Sequence, residues 1–322
     1  MRAARASMWS SQKARPQRVY IGEIGERQLT NKRLVNIGCG NRTHLDWVNL
    51  DLVSHLPDVI QHDLQTGLPF PDQTCDAVYH SHVLEHLSQE EGRKLITECW
   101  RVLKPGGILR VVVPDLENIA RAYVNAIDDS ERPNEEMQAN LRWMRIELFD
   151  QMVRCHTGGE MQQFAREPGL KNRAFVESRV GDELFQTRQH VKRNKRQRRP
   201  IISMRRLRKR AKKMRHGLLL VAATLIAGRA GYRAFKEGLF RQSGEIHQWM
   251  YDRISLHELL EVVGFDQINV CLPNESGIAS FVNFELDTTG GRVRKPDSLF
   301  MEAVKPPSAV HASDTELAPQ AA

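Results

Sequence analysis

The sequence predicts an α/β fold on a largely parallel sheet, and three features of residues 31–128 carry that expectation. Short apolar runs alternate with helical spacing, Gly- and Pro-rich stops separate them, and Asp51 and Asp63 stand at the ends of two of the runs. Strands alternating with helices imply a parallel sheet covered by helices on both faces.

Taken in order, strands are predicted at 33–37, 47–50, 59–61, 77–80 and 108–113. Between the last two lies "SQEEGRKLITECWRVLKPGG", with Ser88 as N-cap and Glu91 three residues on, the pattern of a capping box. Leu95, Ile96, Cys99, Val102 and Leu103 share one helix face, and "KPGG" stops the helix. From about 129 to 245 the rhythm is lost in a polar, partly helical stretch. It returns where Ser255 is predicted to cap "LHELLEVVGF", ending at Gly264. "QINVCL" and "SLFMEAV" then form a terminal antiparallel pair, and no internal repeat is present.

The 322 residues bury a sizeable core. Five scattered cysteines, with no CxxC or paired-His spacing, argue against a zinc ribbon or disulfide scaffold and for a reducing cytosol. The basic N-terminus lacks the apolar core of a secretory signal. The net charge of +8 is local: residues 188–215 hold fifteen Lys or Arg and no acid, leaving −7 for the rest.

"LVNIGCGNRTHLDWVNLDL" places a glycine turn after the first strand, where backbone N–H groups meet a ligand. A lone GxG is as readily a tight turn. A dinucleotide site wants a third glycine where Thr43 stands, which weakens the NAD or FAD reading. Asp51 ends the second strand, where a carboxylate accepts both hydroxyls of a ribose. Asp63 follows the third strand and can accept from an adenine amino group, with Leu64 beside the ring. The fourth strand runs into "HSHVLEHL". All three positions fall where open α/β sheets bind ligands.

"VNIGCGN", "VNLDL", "QHDL", "LPFPDQTCDAVYHSHVLEHL" and "VLKPGGILRVVVPD", in this order over 33–115, resemble the class I S-adenosylmethionine-dependent methyltransferases of the type-11-like branch. "GEIHQWMYDRISLHELLEVVGF" and "RKPDSLFMEAVKP" resemble one bacterial subgroup of it. The resemblance implies a Rossmann-like, seven-stranded, mostly parallel sheet with an antiparallel last strand and S-adenosyl-L-methionine as cofactor; the residues themselves add a helical basic insertion. It implies that Gly38, Cys39 and Gly40 line the methionine part, Asp51 the ribose, and Asp63 with Leu64 the adenine; Ser81 is counted with them. The family's helix between the first two strands does not fit in "NRTHLDW". The expected organisation is a basic disordered tail (1–30), a cofactor-binding half (31–128), a largely helical insertion (129–245, basic and apolar at 188–240), the rest of the domain (246–305) and a disordered tail (306–322).

Transfer to a hydroxyl requires a base, and His82 is the first candidate, with lining the pocket as its plainer role. Asp115 is either a base or the cap of "LENIA". Glu85 and His86 read as capping or packing residues. His247, Trp249 and Tyr251 read as an acceptor wall or as a packed hinge. No Asp, Glu and His clustering suggests a metal. The acceptor expected is a sugar hydroxyl on a glycan or lipid-linked precursor, with RNA or protein, or a non-catalytic scaffold, as alternatives. The ten-residue run 218–227 is about half of a bilayer span of roughly 20. Beside its cations, it favours peripheral contact with an anionic inner-membrane surface over nucleic acid, for which the cation run lacks aromatics. The plainer reading is a helix whose apolar end packs on the sheet.

Overall fold

The computed structural model describes residues 32–53, 56–131, 134–185 and 204–307, with backbone alone over 204–213. The tail predicted at 1–30, nearly all of 306–322, and the cation run up to residue 203 lie outside the described residues. The chain divides after Lys32, and the fold is that of the unit beginning at Arg33.

Strands β1 (Leu34–Ile37), β2 (Trp47–Asp51), β3 (Val59–Gln61), β4 (Cys75–Ser81) and β5 (Leu103–Pro114) form the parallel part of the sheet. Helix α1 (Gln89–Val102) links β4 to β5. Helices α2 (Leu116–Ser130), α3 (Glu135–Val153), α4 (Gly159–Ala165), α5 (Arg173–Val180) and α6 (Met204–Arg241) follow, and then α7 (Arg253–Val263). Strand β6 (Asp266–Val270), the small pair β7 (Thr288–Thr289) and β8 (Arg292–Val293), and β9 (Ser298–Val304) complete the chain. The seven-stranded order is β3-β2-β1-β4-β5-β9-β6, with β9 antiparallel to both neighbours. The expected sheet with a reversed final strand is therefore present.

Local signals explain the helices. Ser88 Oγ accepts from Glu91 N, and the Glu91 carboxylate returns to Ser88 N at 3.0 Å. Leu95, Ile96, Cys99 and Val102 face the core. One cap differs from expectation. Asp252, not Ser255, is the N-cap of α7, and Ser255 supplies the third-position side chain of the box. Both are capping types, and the carboxylate three residues earlier captures the free N–H groups.

The two sheet faces are covered differently. One packs Val35, Ile37, Val78, Val111 and Val113 under α1 and α7. The other packs Leu34, Trp47, Tyr79 and Val112 under Ile278, Phe281 and Leu286, from irregular chain rather than the expected helix layer. The connections 38–46 and 52–58 are too short for crossover helices. Side chains hold the first of them instead. Asn36 Nδ2 donates to Arg42 O (2.8 Å) and Asn49 Oδ1 (3.0 Å), while Asn49 Nδ2 donates to His44 O (3.0 Å). Helices α2 to α5 enclose a separate core around Trp143, Met144, Phe164 and Val176.

His80 on β4 has no exposed surface, and neither ring nitrogen has a hydrogen-bond partner. Burial pushes its pKa down to about 4, against the pull of the Glu85 carboxylate. The unfolded state then binds more protons between pH 4 and 6.5, so this stability is complete above 6.5 and is lost as pH falls toward 4. Between pH 7.5 and 5, wild type is expected to lose about 2 kcal/mol more than His80→Leu in urea denaturation. Equal losses would refute burial of a neutral imidazole.

Candidate active site

The glycine turn lies at the carboxyl end of β1 with Gly38 (φ 63°) and Gly40 (φ 54°) both left-handed. Cys39 N donates to Leu50 O (3.0 Å) and Gly40 N to Asp51 Oδ2 (2.8 Å), tying the turn to the end of β2. Asp51 Oδ1 accepts from Val53 N at 2.9 Å. Each carboxylate oxygen keeps a second lone pair for a ligand. A cavity of about 530 Å³ opens over the turn, lined by Gly38, Cys39, Gly40, Ser81 and His82 from the strand tips and by Arg42, Glu183, Arg294 and Lys295 around them. That volume suits a small-molecule site.

The structure thus brings Gly38, Cys39, Gly40, Ser81 and His82 to one cavity, with Asp51 bonded to its edge. Asp63 does not line it. Exposed, Asp63 accepts from Gln65 N at 3.1 Å and caps the short turn Leu64–Thr66, while Leu64 packs against the core under α1. Asp115 lies outside both this cavity and the next one. Its carboxylate accepts from Asn118 N at 3.1 Å as the N-cap of α2, and burial raises its pKa against those backbone bonds. Burial, then the Asp51 charge, pushes the Cys39 thiol up to about 12, so it stays protonated and is no nucleophile.

His82 adopts φ 54°, an uncommon conformation for a non-glycine residue. Its backbone N donates to Val112 O (2.9 Å), its Nε2 meets Ser298 Oγ (3.0 Å), and its Nδ1 lies 3.0 Å from Glu85 Oε1. Glu85 is fully buried. Burial pushes its carboxyl up, but His82, with His247 and His86 behind it, outweighs burial and holds it near 2. A second cavity of about 330 Å³ adjoins His82 and is lined by His86, His247, Gln151, Arg154 and Asp297. His247 is buried and lines this cavity; of the other wall candidates, Trp249 is 40% exposed and Tyr251 packs in the core beside Gly92 of α1.

Two sets of residues escaped sequence reasoning. Arg42, Glu183 and Arg294 come from three separate segments, with Glu183 Oε1 2.9 Å from Arg42 Nη2 and 3.2 Å from Arg294 Nε. Glu85, His86 and His247 also meet, correcting the expectation that no such cluster exists. Only the "EH" pair was visible as a local signal, since His247 lies 161 residues after His86.

Residues 38–111 match the family model described as "Methyltransferase domain". A protein of Mycolicibacterium smegmatis described as "Probable S-adenosylmethionine-dependent methyltransferase" is 29% identical over 126 residues, 38% of this chain. The chain spans about half the length of that curated relative, 48%. Among solved structures, similarity extends to a Thermotoga maritima S-adenosylmethionine-dependent methyltransferase, possibly a histamine N-methyltransferase. It is 11% identical, with 86% of this chain and 84% of that one covered and a TM-score of 0.35. A similar match is a methyltransferase from Archaeoglobus fulgidus at 12% identity, 85% and 86% coverage, and a TM-score of 0.33.

The strand order and the glycine turn at the tip of β1 define a Rossmann-like α/β protein with a small-molecule site at its strand ends. Over residues 38–111 the chain carries a methyltransferase domain, similar to S-adenosylmethionine-dependent methyltransferases, and that similarity points to S-adenosylmethionine as the methyl donor.

Proposed function

We propose that this chain moves a methyl group from S-adenosylmethionine, held over Gly38–Gly40, to a hydroxyl in the adjoining cavity, with a sugar of a glycan or lipid-linked precursor as acceptor. One observation carries the reading: His82 lines both cavities. The turn fits the donor, since its backbone is open and no atom lies within 4 Å of where a Gly40 Cβ would stand. Bound there, the donor supplies a methyl on a sulfonium sulfur, which leaves as a neutral thioether. The chain's task is alignment, exclusion of water and removal of one proton.

His82 is suited to that proton. With hydrogen on Nδ1 facing Glu85, Nε2 beside Ser298 Oγ is the basic nitrogen, and the buried carboxylate stabilises the imidazolium that forms. Polar lining from Gln151, Arg154, Gln162 and Asp297 supports a hydroxyl-rich acceptor. His82→Ala is expected to lower kcat about a hundredfold or more while leaving affinity for the demethylated donor nearly unchanged. The acceptor is tested by transfer of radiolabelled methyl into fractionated lipid, glycan, RNA and protein. Label confined to RNA or protein refutes the sugar reading, and no binding of donor or its product to folded chain refutes methyl transfer itself.

Contact with an anionic membrane on its inner face is supported by α6. Leu218, Val221, Leu225 and Ile226 are exposed rather than packed on the sheet. The helix is broken at Ala227 and Gly228. Its part Met214–Arg241 is long and apolar enough to cross a membrane, with none of the apolar window buried. The break falls at the end of the apolar run 218–227, so this longer stretch includes residues on both sides of it. The full chain is expected to float with anionic liposomes. Flotation unchanged after deletion of 188–240 would refute the contact.

A further inference from the structure

We infer that Glu85, His86 and His247 form a binding site for one divalent transition-metal ion of the zinc type, open to the second cavity. Each residue offers one ligand atom, and these atoms all lie within 4.8 Å of one another. The ligands come from two segments that are tied together. Glu85 and His86 stand in the turn Leu84–His86 after β4, and His247 lies in the segment leading to α7. Gln248 N donates to Glu85 O (2.7 Å), Gln248 Nε2 to His86 O (2.8 Å), and His247 N to Gln151 O (2.9 Å).

The ring contact of His86 is that of a metal ligand. His86 Nδ1 meets Ile246 O at 3.0 Å, and His247 Nδ1 meets Met250 Sδ at 3.4 Å. A carbonyl on Nδ1 fixes the proton there and leaves Nε2 as the ligand atom. The two rings stand edge to face, 4.9 Å between centroids, so both are directed by packing before any ion arrives.

An independent observation points to a cation. Glu85 is completely buried, and its Oε2 has no hydrogen-bond partner among the described residues. His82 Nδ1, 3.0 Å from Oε1, is the only ion-pair partner of Glu85 among the described residues. Buried carboxylates are otherwise hydrogen-bonded, paired or bound to metal. A neighbouring cation does not fill the role, because Arg154 is paired with Asp150 at 2.7 Å.

Two imidazoles and one carboxylate suit zinc and its transition-metal neighbours rather than magnesium or calcium. Three protein ligands leave a fourth position for water or substrate, and His86 and His247 both line the second cavity. Resting on the methyl-transfer reading, an ion held by Glu85, His86 and His247 would lower the pKa of an acceptor hydroxyl at that position, and His82 would take its proton.

The test uses the full-length chain, stripped of metal and titrated with Zn²⁺ against a chromophoric chelator and with Co²⁺ by visible absorption. The expected result is one ion per chain, with the strong Co²⁺ bands of a four-coordinate site. His86→Ala and Glu85→Gln are each expected to weaken binding at least about tenfold. Circular dichroism and titration with the demethylated donor check that these variants fold, and His86→Ala, at a half-buried position, decides the matter if Glu85→Gln does not. No ion bound, or equal binding by wild type and His86→Ala, overturns the site. The readout is separate from methyl transfer: a chain that binds the ion but not the donor refutes only the proposed reaction, and one that binds the donor but no ion refutes only the metal site.

Discussion

Arg110→Met is expected to destabilise the protein by about 3–5 kcal/mol, the cost of removing one partner from a buried ion pair. Arg110 has no exposed surface. Its Nε donates to Asp287 Oδ2 (2.8 Å), and Nη1 donates to Glu302 Oε1 (2.7 Å) and Glu275 O (2.9 Å). Tyr79 Oη donates to the other Asp287 oxygen at 2.6 Å, and the guanidinium lies 4.6 Å from the centre of the Phe281 ring. Without the arginine, Asp287 is a buried charge left with a single phenol donor. The chain that Arg110 pins, around 272–287, is also the cover of the second sheet face, so loss of the cation loosens that face as a unit. Urea denaturation checks the size of the effect. The double variant Arg110→Met/Asp287→Asn is expected to recover part of the loss, because it removes the orphaned charge. A loss below about 1 kcal/mol in the single variant would show that the network contributes little, the usual finding for exposed pairs.

That network shows where reading a sequence stops. In "ILRVVVP" a single arginine interrupts an apolar run, and an arginine is normally expected to keep its charge in water. Here both faces are buried, and the partners of Arg110 lie 177 and 192 residues later. Period and propensity report local choices, so β1 to β5, the Ser88 capping box, the Gly264 stop and the final antiparallel pair were all legible. The glycine turn and the absence of a helix after it were legible for the same reason. Side chains that meet only through topology were not: Asn36 with Asn49 across the first loop, Glu183 between Arg42 and Arg294, and Glu85 and His86 with His247. The α7 cap was a narrower miss, since Asp252 and Ser255 are equally good capping residues and only the backbone decides which comes first. Asp63 shows the limit of reasoning by strand ends. It stands where a ligand-binding acid is expected, yet its carboxylate serves its own turn.

Gly38→Ala is expected to lower affinity for the demethylated donor at least tenfold, about 1.4 kcal/mol, and to reduce stability as well. Two effects act together. At φ 63° an L-residue is strained by roughly 1–2 kcal/mol, and an added Cβ would overlap Val83 Cγ2. Val83 is β-branched and has little freedom to turn away. It is also the residue after His82, so relief of the overlap moves the imidazole shared by the two cavities. Gly40→Ala is the matched control. Its φ of 54° carries similar strain, but nothing stands within 4 Å of the added carbon. Stability should therefore fall less in Gly40→Ala than in Gly38→Ala, and the difference isolates the contact with Val83. Calorimetric titration and urea denaturation of both variants separate the two effects. If Gly38→Ala binds the demethylated donor as wild type does, the turn is a structural corner and the donor is held elsewhere. If binding is lost while Gly40→Ala keeps its stability, the close approach of β1 to the turn after β4 is what shapes the site.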